Sequence, residues 1–319
     1  MRPLISIITP LHNHEQFIGT SIKSVLNQGY TNWEQIIVDD ASTDDSLKVA
    51  TSFAKKDKRI KIIHHKKNWG INKLANNYNH ALKYAKGKYV AILESDDYWP
   101  KDKLEKQINF MINRKAILSY GNCILVSSGG TPIDLFTYNY KRSQVNNIPD
   151  GSILRLFSNL KFSIIPVTVI IRKKELLKVG GFCKDSFYPF TDIPTFLKLA
   201  LEGKFAYMNE ILGFYRKQNI SEWYSFASAT NAMGREELRN CMDLFLRKHS
   251  NHIICSKILR DGILKRDQDM FIDKKRRLKR LSIFLNTAAF RYNLNPLFFV
   301  FCLKYLYYLF KKFTYENWN

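Results

Sequence analysis

From residue 4 to about residue 126, short apolar runs alternate with segments of helical period, which predicts a βαβα chain wound on a mainly parallel sheet. The first run, Leu4-Ile-Ser-Ile-Ile8, gives way to Thr9-Pro10-Leu-His-Asn13. Asn13, with Gln16 three residues on, reads as the cap of a helix that gathers Phe17, Ile18, Ile22, Val25 and Leu26 on one face. A second strand, Trp33 to Val38, ends on Asp39-Asp40, and Ser42-Thr-Asp-Asp45 opens a helix through Leu47, Ala50, Phe53 and Ala54. The third strand is Ile60 to Ile63. After a basic loop (His64 to Lys67) and Gly70, a helix aligns Leu74, Ala75, Tyr78, Ala81, Leu82 and Ala85, and Gly87 closes it as a residue tolerant of positive φ.

The fourth run, Tyr89 to Leu93, stops on three acids in four residues: Glu94, Asp96 and Asp97, with Ser95 between. It reads as a buried strand with its charge at the C-terminal end, the end where open α/β sheets bind ligands. Right-handed crossovers bring Pro10, Asp39, Asp40 and the acids at 94–97 to one edge of the sheet. Carboxylates so close repel one another, and a bridging Mg²⁺ or Mn²⁺ held with a substrate's phosphates would offset the repulsion. A solvated acidic turn is the bland alternative. If the pocket takes a nucleotide with a diphosphate, Asp39 or Asp40 can accept hydrogen bonds from the base or ribose, and Lys73 can add to charge neutralisation. A nicotinamide or flavin enzyme would need G-x-G-x-x-G after the first strand, where this chain has Thr9-Pro10-Leu-His-Asn13.

Beyond residue 127 the alternation weakens. Ser127 to Gly130 and Asn146 to Gly151 read as turns, Phe162 to Ile171 as a strand, Ile193 to Leu201 as a helix with Pro194 in its first turn, and Phe205 to Met208 with Ile211 to Tyr215 as a strand pair. From about residue 222 the period is helical. Lys274, Lys275, Arg276, Arg277, Lys279 and Arg280 form a cationic cluster, followed by the aromatic stretch Leu294 to Phe310. A membrane-spanning helix needs roughly 20 mostly apolar residues. This stretch is shorter and carries Lys304, so it suits a helix in the interface beside anionic headgroups; a helix packed on the domain is the alternative. The expected organisation is therefore a domain over 1–220 and a helical C-terminal region over 221–319.

A formal charge of +22 calls for an anionic partner: a polyphosphate-bearing substrate, anionic lipid or nucleic acid. The acids converge on one expected pocket and much of the basic excess falls in the tail, so nucleic acid is not among the expected partners; salt-sensitive binding to it would reverse that. The five cysteines, odd in number and without a C-x-x-C pair, read as reduced thiols of a cytosolic protein. Leu4–Ile8 is too short for a signal-peptide core. His12 and His14 read as loop and cap residues rather than metal ligands, and His249 with His252 lack an acid or cysteine partner for zinc. Trp69, in a loop near the pocket, is a candidate stacking surface for a ligand ring.

Taken together, Ile7-Ile-Thr9-Pro10-Leu-His-Asn13, Gln35-Ile-Ile-Val-Asp39-Asp40-Ala-Ser-Thr-Asp44, Asn68-Trp-Gly70-Ile-Asn-Lys73 and Ala85-Lys-Gly87-Lys-Tyr-Val-Ala-Ile-Leu-Glu94-Ser95-Asp96-Asp97 resemble the successive signatures of family 2 inverting glycosyltransferases with the GT-A fold. The resemblance covers roughly residues 4–216. It implies metal-dependent transfer of a sugar from a nucleotide diphosphate donor, usually a UDP-sugar, to an acceptor hydroxyl, with inversion at the anomeric carbon. It implies that Thr9 and Pro10 line the base and ribose and that Asp40, beside Asp39, binds the nucleoside. Glu94-Ser95-Asp96 stands where the family has D-x-D, with Asp96 on the metal, Glu94 facing the ribose and Asp97 supporting the turn. Glu94 keeps the charge of the usual Asp on a longer arm. Gly180-Gly181-Phe182 followed by Thr191-Asp192 matches the place of the family's Glu-Asp pair, so Asp192 is the general base, with Thr191 where the Glu would be. A helix cap is the other role open to Asp192. The family's Tyr-Arg-x-His is Tyr215-Arg216-Lys217-Gln218 here, without the His.

The expectation is a transferase at the inner face of the plasma membrane, cytoplasmic and peripheral, that extends a lipid-linked or polysaccharide acceptor. The competing classes are a nucleic-acid-binding protein and a nucleotidyltransferase, the second distinguished by release of diphosphate rather than nucleoside diphosphate.

Overall fold

The computed structural model describes residues 2–70, 73–158, 162–183, 191–217 and 242–261. The expected basic cluster and aromatic helix of the tail, most of the helical region after 222 and Gln218 lie outside the described residues. Four strands run in parallel: β1 (Ile5–Leu11), β2 (Trp33–Asp39), β3 (Ile60–His64) and β4 (Tyr89–Ile92), in the spatial order β3-β2-β1-β4. The helices between them are α1 (Glu15–Leu26), α2 (Ser46–Ala54) and α3 (Leu74–Tyr84). β1 and β2 are buried along their whole length, as fits strands read as near-continuous apolar runs. Ile18, Ile22 and Val25 of α1 pack into the same core as Ile5, Ile7 and Ile37. Truncating one such side chain to alanine costs about 2–5 kcal/mol.

The second half is mixed. After α4 (Lys103–Asn113) come β5 (Leu118–Ser127), β6 (Pro132–Phe136), the short helices α5 (Arg142–Val145) and α6 (Leu154–Ser158), β7 (Ile170–Arg172), α7 (Lys173–Lys178), α8 (Asp192–Ala200) and β8 (Phe205–Lys217). β7 joins β4 and β5 in antiparallel fashion, β6 lies antiparallel on β5, and β8 pairs parallel with β5, which completes one eight-stranded sheet.

Three expectations are corrected by this arrangement. Phe162–Ile171 is not one strand: a 3₁₀ turn at Pro166–Thr168 precedes β7, because Pro166 has no N–H for a ladder. The expected pair at 205–215 is one strand whose register slips opposite Gly121 and Asn122. Gly87 is not a left-handed cap: α3 ends at Ala85 in extended backbone, and a Cβ at Gly87 would lie 2.5 Å from the Ser6 nitrogen. Close passage of β1 is what requires glycine there.

Candidate active site

The C-terminal edge of the parallel strands opens into a cavity of about 440 Å³. β1 and the turn after it contribute Pro10, Leu11, His12 and His14; the corner after β2 contributes Asp40; the loop before α3 contributes Asn68 and Gly70; α3 contributes Leu74 and Asn77; and the turn after β4 contributes Glu94, Ser95 and Asp96. Asp40 and Asp96 thus face one space. A second cavity of about 520 Å³, between α1 and residues 98–101, contains none of these acids.

The α1 start is capped differently from expectation. Asn13 adopts a left-handed φ of 51° and accepts the Thr43 N–H through Oδ1. Asp44 Oδ2 accepts the Glu15 N–H and Glu15 Oε2 accepts the Asp45 N–H, so the first turns of α1 and α2 are tied to each other. These ties hold the β1 and β2 ends side by side at the cavity rim.

Asp40 follows β2 at a sharp corner: its N–H donates to the Leu11 carbonyl, and Ala41 takes a left-handed φ of 55°. Its Oδ1 accepts the Trp69 N–H at 2.9 Å and pairs with His65 Nδ1 at 3.1 Å, and its Oδ2 accepts the Gly70 N–H at 3.3 Å. Burial pushes the Asp40 pKa up, but the hydrogen bonds from Trp69, His65, Asn77 and Gly70 outweigh it and hold it below the usual carboxylate range. Asp39 and Thr9 point elsewhere. Asp39 is fully buried against His64 Nδ1 (2.8 Å), and Thr9 Oγ1 accepts from Gln35 Nε2 inside the sheet. Lys73 is the exposed N-cap of α3 and does not line the cavity. Trp69 stacks on the His65 ring at 3.8 Å.

The acid turn is built otherwise. Carboxylate oxygens of Glu94, Asp96 and Asp97 lie within 4.8 Å of one another. Glu94 accepts the Tyr78 hydroxyl at 2.9 Å, Ser95 Oγ meets His14 Nδ1 at 2.7 Å, and Asp97 Oδ1 accepts the Arg216 N–H at 2.8 Å. Asp97 Oδ2 is buried without a hydrogen-bond partner. Burial, and then the charge of Asp96, push the pKa values of Glu94 and Asp97 up. Arg216 braces the turn from β8: Nε donates to the Asp96 carbonyl at 2.8 Å, Nη1 to the Ser127 and Ser128 carbonyls, and the guanidinium lies over the Phe17 and Tyr98 rings. Lys217 faces the same acids, and its pKa is lowered by burial. Asp192 is the first residue of α8, with Thr191 as N-cap; burial raises its pKa to about 6, and its charge acts on Glu94, Tyr78 and Tyr215.

Tyr78 is a site residue that helical periodicity assigned only to a packing face. Its place one position after Asn77, on the helix that follows the Asn68–Gly70 loop, is the one hint the chain offers. The His65–Asp40 and His14–Ser95 contacts had no local signal at all. Among the described residues, no metal-binding cluster includes His249 or His252, and Cys123, Cys183 and Cys255 are buried and in no disulfide.

A Rossmann-like half-sheet with acids gathered at its C-terminal rim is the arrangement of a nucleotide-sugar transferase. The profile of glycosyl transferase family 2 matches residues 6–180, and the chain belongs to that family; it is a glycosyltransferase with the GT-A fold. It is 37% identical over 221 residues to TuaG of Bacillus subtilis (strain 168), named for teichuronic acid biosynthesis, covering 69% of this chain and 81% of TuaG. It is 41% identical over 125 residues to WfgD of Escherichia coli, named as a UDP-Glc:α-D-GlcNAc-diphosphoundecaprenol β-1,3-glucosyltransferase, over 39% of this chain and 47% of WfgD. Among solved structures, S. aureus TarS 1-349 in complex with UDP-GlcNAc superposes with a TM-score of 0.56 at 22% identity, over 69% of this chain and 60% of that one.

Proposed function

We propose that the chain transfers a sugar, with inversion, from a UDP-sugar to a hydroxyl of a lipid-linked or polysaccharide acceptor, in a reaction that depends on Mg²⁺ or Mn²⁺. The observation that carries this reading is that Asp40, Glu94, Ser95 and Asp96 line one cavity while the charge of Asp192 reaches Glu94. The names of WfgD and of the TarS complex support the donor class, and WfgD the acceptor class.

In this reading Asp40 accepts hydrogen bonds from the nucleoside, with Pro10 along the base and ribose and Glu94 turned to the ribose. Thr9 and Asp39 support these positions from the core, and Lys73, exposed at the start of α3, would add positive charge for the diphosphate. The acid turn fits a hard divalent cation: its oxygens are close and mutually repelling, Glu94 and Asp96 are half-buried and Asp97 buried, and Asp97 Oδ2 has no partner. Asp96 and Asp97 would hold the cation, which when bound neutralises the diphosphate leaving group. Arg216 keeps the turn in place, and Lys217 adds positive charge beside it.

Asp192 is the general base. As the acceptor oxygen bonds to the anomeric carbon, the bond from that carbon to the diphosphate oxygen breaks. The acceptor's hydroxyl proton passes to the Asp192 carboxylate, and the nucleoside diphosphate leaves with the bonding pair. A base with a pKa near 6 is ionised at neutral pH and basic enough to take the proton.

A screen of nucleotide sugars for hydrolysis with and without Mn²⁺ tests the reading, repeated with Asp96→Ala and Asp192→Ala. One donor should be consumed with nucleoside diphosphate as product, and both variants should abolish turnover; diphosphate as product would refute it. We further propose that residues 1–220 form the catalytic domain and that 221–319 hold it at the inner face of the plasma membrane. Among the described residues no helix is long and apolar enough to cross a membrane. Deleting 270–319 should release the protein from the membrane fraction, and unchanged recovery there would defeat the anchor.

A further inference from the structure

Behind Asp40 lies an array that none of these steps uses. His65 is buried at 6% exposure. Its Nδ1 meets Asp40 Oδ1 at 3.1 Å, and its Nε2 meets His80 Nδ1 at 2.8 Å across ring planes only 15° apart. Trp69 covers the His65 ring at 3.8 Å and donates its own backbone N–H to the same Asp40 oxygen. His65, His80 and Trp69 stay outside the cavity lining, whereas Asp40, Asn68 and Gly70 are in it.

The hydrogen positions follow from the acceptor at the end of the chain. Asp40 is a carboxylate and can only accept, so His65 Nδ1 carries a hydrogen. In neutral His65 the Nε2 is then an acceptor, so His80 Nδ1 carries a hydrogen as well. His80, whose pKa burial and the neighbouring His65 and Lys83 lower, stays neutral and keeps this direction. Every donor points towards Asp40, and the stacked indole stops the His65 ring from turning.

We infer that His65, braced by His80 and clamped by Trp69, is the positioning residue of donor binding: it aims the Asp40 carboxylate and pre-orders the Asn68–Gly70 loop that walls the cavity. This rests on the reading of Asp40 as the nucleoside contact. A carboxylate already held by Trp69 and His65 at Oδ1 and by Gly70 at Oδ2 presents its remaining lone pairs in a fixed direction, so the nucleoside meets a formed site and less binding energy goes into ordering it.

The test is calorimetric titration of the full chain with UDP and Mn²⁺, with melting temperatures taken alongside. His65→Ala should weaken UDP binding about tenfold, the effect of one hydrogen bond to a charged group. His65→Asn, whose amide N–H sits where Nδ1 does, should recover affinity to within about threefold, and His80→Ala should lose about threefold. Asp40→Asn is the reference and should weaken binding at least as much as His65→Ala. If Asp40→Asn weakens UDP and His65→Ala does not, the positioning role is wrong. Equal losses in the Ala and Asn variants at unchanged melting temperature would also overturn it. If Asp40→Asn leaves UDP binding intact, the nucleoside reading fails and takes this inference with it. Should His65→Ala not fold, recovery in His65→Asn with loss in His80→Ala supports the role, and an unaffected His80→Ala overturns it.

Discussion

Two groups of carboxylates share one rim of this sheet in opposite electrostatic states. Asp40 is surrounded by donors from its own chain, and its proton is held off despite burial. In the turn at 94–97 burial and the charge of Asp96 outweigh the donors from Tyr78 and Arg216: Glu94 and Asp97 are pushed towards protonation, and Asp97 Oδ2 has no partner. An acid that the fold has already satisfied can direct a hydrogen bond but gains little from an ion. One that the fold leaves in debt of positive charge is built for a cation or a proton to complete. On the proposed reading the contrast separates recognition, at Asp40, from chemistry, at the acid turn and at Asp192, whose pKa burial raises to about 6.

The largest effect expected on either side belongs to Asp192. With Asp192 as the proposed base, Asp192→Asn removes the proton acceptor and keeps the shape, so turnover should fall by about 10²–10⁴-fold. UDP affinity should stay within about twofold, since no recognition contact is lost. Turnover and titration on the same preparation check this, and a matching loss in UDP affinity would move Asp192 to the recognition side.

The same Asp→Asn change should have opposite signs at the two acid groups. At Asp40 it sets an amide NH₂ against donors that need an acceptor, which should cost about 1–3 kcal/mol. At Asp97 it removes a repelled buried charge, which should gain on the order of 1 kcal/mol in the absence of divalent ions. Denaturation in EDTA measures both, and destabilisation at both positions would dissolve the distinction. Adding Mn²⁺ at ten times its dissociation constant should then stabilise the native chain by about 1.4 kcal/mol and leave Asp96→Asn unmoved.

How much of this was legible in the chain differs between the same two regions. β1 to β4 were readable because strands buried on both faces are written as unbroken apolar runs, and the acids at their ends were visible as their terminators. Beyond Ser127, tertiary context decides. Pro166 breaks an apolar run that reads as strand, and β8 absorbs a bulge that reads as the gap between two strands. Asp40, Glu94 and Asp96 could be assigned to one rim from crossover handedness alone. The satisfied or unsatisfied state of each acid could not, because it depends on partners far away in the chain: Asp40 with His65 and Trp69, Asp97 with Arg216, Glu94 with Tyr78. Lys103 shows the same limit, since an ordinary lysine in the sequence is fully buried, over the Trp99 ring and bonded to Gln107 Oε1.

The pH profile locates the boundary between the two regions. The Asp192 pKa stands at about 6, above its ordinary 3.8 because burial disfavours the charged form, and the form that accepts a proton is the charged one. Activity should therefore be nearly full at pH 7 and fall as pH drops through 6, approaching a tenfold loss per unit below it; between pH 7 and pH 5 the fall in kcat/KM should be about tenfold. Glu94 is also pushed up, by burial and by Asp96, so it is the rival owner of an acidic limb. The two separate by substitution. If the limb belongs to the base, it persists at its place in Glu94→Gln and disappears from the residual activity of Asp192→Asn. A limb that vanishes in Glu94→Gln and survives in Asp192→Asn would instead put the titrating group in the acid turn, and the base would have to be sought elsewhere on the rim.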